Sequence, residues 1–161
     1  MKKWLGSILF FSAVCSCNAQ YKVQSAKAFF TSSMPGMQRV DANDNKIDPE
    51  PIIERFIFLE TRFNGKPKID TVWYNNILFS ATIADKEEAA KMVGVKKNTG
   101  TTISLAPKKG NHFWRIDVAQ ADGHTLKHDA VKKIIIKGKL DKTKFSYTIT
   151  TETELAAPDR Y

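Results

Sequence analysis

Beyond residue 20 the chain alternates apolar and polar residues in short runs, the period of two that marks β-strands. Tyr21, Val23, Ser25, Lys27 and Phe29 alternate with Lys22, Gln24, Ala26 and Ala28, which predicts a first strand. Residues 52–63 predict a long strand, and its centre, Phe56-Ile57-Phe58-Leu59, is apolar at every position, so both of its faces should be covered. Asn64-Gly65-Lys66-Pro67 predicts a turn, because Asn-Gly supplies the positive φ values of a tight hairpin. Residues 68–74 follow as a strand with Ile69, Thr71 and Trp73 on one face, then an Asn75-Asn76 turn and a strand over 77–83. Further strands are predicted over 101–106 and 113–119. The last pair is the clearest: Ile134, Ile136, Gly138 and Leu140 share a face, residues 141–144 turn the chain, and Phe145, Tyr147 and Ile149 share a face on the return.

Residues 85–93 carry the one helix signal. Asp85 can cap a first turn, Glu88 stands three residues on as in a capping box, and Gly94 can end the helix. Glu87 and Glu88 would then complement the helix dipole rather than form a catalytic pair. About eight strands between Gly, Asn, Asp and Pro turns predict an all-β domain, an antiparallel immunoglobulin-like β-sandwich with one short connector helix. The alternative is an eight-stranded lipocalin-like barrel. The connection over residues 31–51 fits neither, since so long a structureless loop is uncommon inside a compact domain.

The first residues follow a different pattern. Met1-Lys2-Lys3 is basic, Trp4 to Val14 is apolar apart from Gly6, Ser7 and Ser12, and Cys17-Asn18-Ala19 ends in small residues. That order predicts a signal peptide over residues 1–19, cleaved before Gln20, since the run is too short to anchor in a bilayer. It leaves residues 20–161 as one domain, exported to a periplasmic or secreted location, with no transmembrane segment. Both cysteines, Cys15 and Cys17, fall inside the segment, so no disulfide is expected. Val14-Cys15-Ser16-Cys17 partly meets a bacterial lipobox, which makes a lipoprotein anchored through Cys17 the alternative. A domain of this length buries a core without staples. With 42% hydrophobic and 26% charged residues the composition excludes a disordered or fibrous chain.

Candidate chemistry is sparse. Asp41, Asn43, Asn45 and Asp48 resemble the start of a calcium loop, but Lys46 stands where the turning Gly belongs and Ile52 where the closing Glu belongs. A solvated turn explains the string without an ion. His124 and His128 share a face only on a helix. On a strand they stand about 13 Å apart, too far for one metal. His112 has no partner at metal-binding spacing. No Gly-x-Ser-x-Gly elbow, phosphate loop or dinucleotide fingerprint occurs. No cofactor is expected. Trp73, Tyr74, Phe113 and Trp114 could stack a sugar, though aromatics at strand positions more often fill a core. Asp70-Thr71-Val72 resembles a short bacterial O-glycosylation acceptor.

Charge supplies the remaining signal. The chain carries +8, and removal of Lys2 and Lys3 leaves +6. From residue 127 to 144 there are seven lysines against Asp129 and Asp141. Lys133, Lys137, Lys139, Lys142 and Lys144 form a candidate patch for an anionic envelope component. Lysines also guard a sheet edge against pairing, and the sequence favours that reading. Nucleic acid is not an expected partner, because lysine point charges without interleaved exposed aromatics read it poorly and the chain carries an export signal. The expectation is a non-enzymatic binding or structural module of the bacterial cell envelope, with a small-molecule or lipid carrier as the alternative.

Overall fold

The computed structural model describes residues 23–34, 39–40, 43, 46–47, 51–87, 89–120 and 131–157. These form twelve strands: β1 (Val23–Ser33), β2 (Arg39–Val40), β3 (Lys46–Ile47), β4 (Ile52–Thr61), β5 (Lys68–Tyr74), β6 (Ile77–Glu87), β7 (Lys91–Val95), β8 (Thr102–Leu105), β9 (His112–Gln120), β10 (Ile134–Leu140), β11 (Thr143–Ile149) and β12 (Glu152–Leu155). The fold is all-β, and the described residues contain no helix.

Eight strands join one hydrogen-bonded sheet in the order β11-β10-β5-β6-β9-β4-β1-β12. All neighbours are antiparallel except β1 and β12, which run parallel. The expected immunoglobulin-like stack of two antiparallel sheets is therefore not what the hydrogen bonding gives; a single mixed sheet curls into a half-barrel. The chain itself compels the curl. β11 and β12 stand at opposite edges, yet only Thr150 and Thr151 separate Ile149 from Glu152. Three Cα–Cα steps reach at most about 11 Å. The two edges must meet at that end, and Ala28 of β1 and Ile149 of β11 do belong to one core cluster.

That cluster fills the concave side. Ile57, Leu59, Val72, Tyr74, Trp114, Ile116, Ile134 and Ile136 converge there from β4, β5, β9 and β10. A second cluster lies on the convex side of β1, β4 and β9: Phe29, Phe56, Phe58 and Phe113 pack ring to ring at 5.7–6.2 Å, under Leu105 of β8 and Leu155 of β12. The four consecutive apolar residues of β4 thus serve both clusters in turn, as the sequence predicts for a strand covered on both faces. The β7–β8 hairpin is the cover. Gly100 turns it with φ +64, and it is fastened to β12 where the Ala156 amide donates to the Val95 carbonyl at 2.7 Å.

The predicted alternation of the last hairpin is observed. Ile134, Ile136, Gly138 and Leu140 are buried, and Phe145, Tyr147 and Ile149 face the same way. Its turn is shorter than expected, since only Asp141 and Lys142 lie outside the strands. Asn75 and Asn76 turn β5 into β6 with φ of 47° and 72°, as Asn permits.

Three expectations are corrected. The helix over residues 85–93 is absent: β6 continues to Glu87, slips register between Ile83 and Lys86, and pairs Lys86 and Glu87 with Trp114 and Phe113. Cross-strand pairing overrides a capping signal that could offer only two turns. Asn64-Gly65 is not a hairpin turn. Neither residue has positive φ, and β9 and β6 stand between β4 and β5 in the sheet, so the segment is a crossover. Ile69 does not share a face with Trp73, because Asp70 is an extra residue in the ladder: Ile69 pairs with Gly138 and Thr71 with Lys137. This bulge keeps Ile69 with the core while Thr71 and Trp73 face outward. Gly138 is its complement, since a Cβ there would collide with the Lys68 carbonyl oxygen. The connection over residues 31–51 is partly built, from the end of β1 and the small β2–β3 pair.

Candidate functional site

Two arrangements of polar side chains stand out. The first lies inside the half-barrel where its edges meet. Arg55 of β4 is buried and donates from Nη1 to Glu152 of β12, reaching across β1. The guanidinium also stands 5.1 Å from the centre of the Tyr74 ring and 5.3 Å from that of Phe30. Arg55 lines two open clefts of about 510 and 530 Å³. Burial pushes the Tyr74 phenol far up, and the Glu152 carboxylate adds to that against a smaller pull from Arg55. Tyr74 is therefore a neutral phenol, and Arg55 is already neutralised by Glu152. The arrangement ties β12 to β4.

The opposite end of the interior is closed by neutral hydrogen bonds. The Trp114 indole donates to Thr61 Oγ1 at 3.0 Å, and Thr61 donates onward to the Phe63 carbonyl at 3.0 Å. On the convex side beside it, Glu60 accepts from Ser25 Oγ at 2.7 Å, Asn111 Nδ2 at 2.7 Å and the Lys108 amide at 2.9 Å. Between the two ends, Ile57, Leu59, Val72, Tyr74, Ile116, Ile134 and Ile136 are all 0% exposed. A carrier needs a hollow there, and these side chains fill it.

The second arrangement lies on the convex side of β5, β10 and β11, which the β7–β8 hairpin and β12 do not cover. Register fixes three lateral rows. Lys68 pairs with Lys139, and Lys139 with Lys144, so three lysines on three adjacent strands share one row. Thr71, Lys137 and Ser146 form the next row. Trp73, Ile135 and Thr148 form the third, which Leu78 extends onto β6. Lys133, exposed, stands at the entrance to β10, and Lys142 is exposed in the turn. The acids nearby are Asp70 on the bulge and Asp141 in the turn, both exposed. Among the described residues none of Lys68, Lys137, Lys139 and Lys144 forms an ion pair.

Compared with known protein families, characterised proteins and solved structures, this chain matches none. Its chemistry must be read from its own residues.

All five lysines of the sequence patch lie on the β10–β11 hairpin or at its entrance, and Lys68, distant in sequence, joins them through the β5–β10 register. Of the calcium-like string, Asn43 is exposed in the turn between β2 and β3, while Asp41, Asn45 and Asp48 lie outside the described residues, as do His124 and His128. Within the described residues no three His, Cys, Asp or Glu side chains gather at metal-binding distance. The four aromatics do not form a platform. Tyr74 and Trp114 sit in the concave cluster, Phe113 in the convex one, and Trp73 on the uncovered face. Thr71 of the acceptor-like string is half-buried between Asp70 and Val72 in β5. The Arg55–Glu152 pair had no sequence signal, since 96 residues separate its members and nothing local marks either.

Proposed function

We propose that this chain is an exported, non-enzymatic binding module of the bacterial cell envelope whose working surface is the lysine-bearing convex face of β5, β10 and β11. One observation carries the reading: the lateral row Lys68–Lys139–Lys144. Like charges directly opposite across strands are destabilising. Protection of a sheet edge explains Lys144, because β11 is an edge strand. It does not explain Lys139 or Lys68, which stand on the second and third strands, where there is no edge to protect. A fold that sets three cations side by side, with no ion pair to any of them among the described residues, gains something else from them, and an anionic partner supplies it.

The test is elution from a sulfated-polysaccharide matrix across a salt series. Lys139→Gln/Lys144→Gln should elute at clearly lower salt than the parent protein. Lys96→Gln/Lys109→Gln, equal in charge change but away from this face, should elute close to it. Equal shifts in both variants would reduce the effect to net charge and defeat the proposal. The export half is read separately by mass spectrometry of the native N-terminus. Gln20 is the expected first residue, a lipidated Cys17 selects the anchored form, and Met1 contradicts export.

A further inference from the structure

We infer that the anionic partner is a lipid bilayer surface, met by the lysine rows together with the apolar row beside them. The inference rests on the lysine face just proposed and adds what that face binds. The deciding residues are the ones that carry no charge. Leu78, Trp73 and Ile135 stand in register on β6, β5 and β10, side by side on the same convex face as the lysines. Leu78 is 42% exposed, and Trp73 and Ile135 are half-buried. The other half of the convex face shows what this fold does with apolar residues it needs to hide: Phe29, Phe56, Phe58 and Phe113 lie under β7, β8 and β12. No described element covers Trp73, Ile135 and Leu78.

The sulfates and carboxylates of a soluble polyanion pair with the lysines alone, and a sugar ring that stacks on Trp73 draws nothing from Ile135 and Leu78. A bilayer uses both kinds of group. Indole and aliphatic side chains settle at the boundary between headgroups and acyl chains. Lysines reach the phosphates from flexible stems, and each adds attraction to an anionic leaflet. The geometry matches that division. The apolar row and the Lys68–Lys139–Lys144 row lie on opposite sides of the Thr71–Lys137–Ser146 row, within two strand repeats, a distance of about 13 Å. The sheet can thus lie obliquely on the membrane, with its tryptophan edge dipped and its lysine edge over the headgroups. The covered half of the sheet, with its Phe cluster, faces away.

The experiment is flotation of the full chain with vesicles of phosphatidylcholine alone and of phosphatidylcholine with phosphatidylglycerol, beside elution from the sulfated matrix. The N-terminal segment, with Lys2, Lys3 and its apolar run, is common to the parent protein and every variant, so the readout is the difference between parent and variant on the anionic vesicles. The parent protein should favour the anionic vesicles. Lys139→Gln/Lys144→Gln should bind them about thirtyfold more weakly, from the attraction per lysine at an anionic surface. Leu78→Ser, which changes an exposed side chain and leaves the core intact, should weaken vesicle binding but not matrix binding. A blue shift of tryptophan emission on anionic vesicles that is smaller in Trp73→Tyr than in the parent protein would place that residue at the interface. If the matrix distinguishes the lysine variant from the parent protein while anionic vesicles do not, the lipid assignment fails and the lysine face survives. If neither matrix nor vesicles distinguish the variant, both fail. Unchanged vesicle binding by Leu78→Ser and Trp73→Tyr together overturns the role of the apolar row.

Discussion

Burial alone would raise the Glu60 carboxyl, yet the donors Asn111, the Lys108 amide and Ser25, with the charge of Lys108, outweigh it and hold the group below its ordinary value. A depressed carboxylate contributes stability that is full above its unfolded value and is lost as pH falls through the folded one. Acid melts should therefore show the parent protein losing stability relative to Glu60→Gln as pH drops below about 4.3. Parallel curves would mean that the three hydrogen bonds do not favour the charged form. The Arg55–Glu152 pair is a different case. Its side chains are 6% and 3% exposed, and removing one partner from a buried pair strands the other. Glu152→Gln should cost about 3–5 kcal/mol in a denaturant melt, and Arg55→Met/Glu152→Leu should recover much of it. A single variant as stable as the parent would show that β12 does not depend on this tie. Neither group was legible as a site in the sequence, because a buried ion pair between distant strands depends on topology and leaves no local pattern.

Strands were the most legible elements, and the reason lies in their faces. Ile134, Ile136 and Leu140 point to the core and Lys137 and Lys139 away from it, as a period of two dictates, because one side of this hairpin is dry and the other wet. Ile136→Ala should cost about 2–5 kcal/mol. Lys137→Gln/Lys139→Gln should leave stability within about 0.5 kcal/mol per site, and any change at Lys139 should be a gain, because it relieves repulsion from Lys68 and Lys144. A large loss from the lysine changes would contradict their place on the wet face. The elements that misled were those whose fate was decided by a partner strand. The Asp85 capping signal lost to the pairing of Lys86 with Trp114, and Asn64-Gly65 lost its hairpin because β5 pairs with β6 and β10 instead of β4. The bulge at Asp70 was invisible without Gly138 beside it, although both residues are unusual for a strand interior.

At the scale of the molecule, a single curled sheet divides its convex side in two. Over β9, β4 and β1 that side is apolar and covered; over β11, β10 and β5 it is basic, and no described element covers it. The all-β class was readable from alternation and turns, but whether one sheet curls or two stack depends on which strands pair across long loops. The curl is enforced by Thr150 and Thr151, which bring the β11 edge back to the β12 edge, and no period announces it. The lysine patch was readable as a count, whereas its reach onto β5 came only with the register of Lys68 against Lys139. The proposed function assigns the anionic partner to the half that no described element covers. The most direct measurement is amine-reactive footprinting of the intact protein with and without dextran sulfate, read residue by residue by mass spectrometry. Lys68, Lys139 and Lys144 should lose reactivity together in the presence of the polyanion, while Lys96 and Lys109 keep theirs. Protection spread evenly over all lysines, or falling on Lys96 and Lys109 first, would contradict the assignment of the binding surface to β5, β10 and β11.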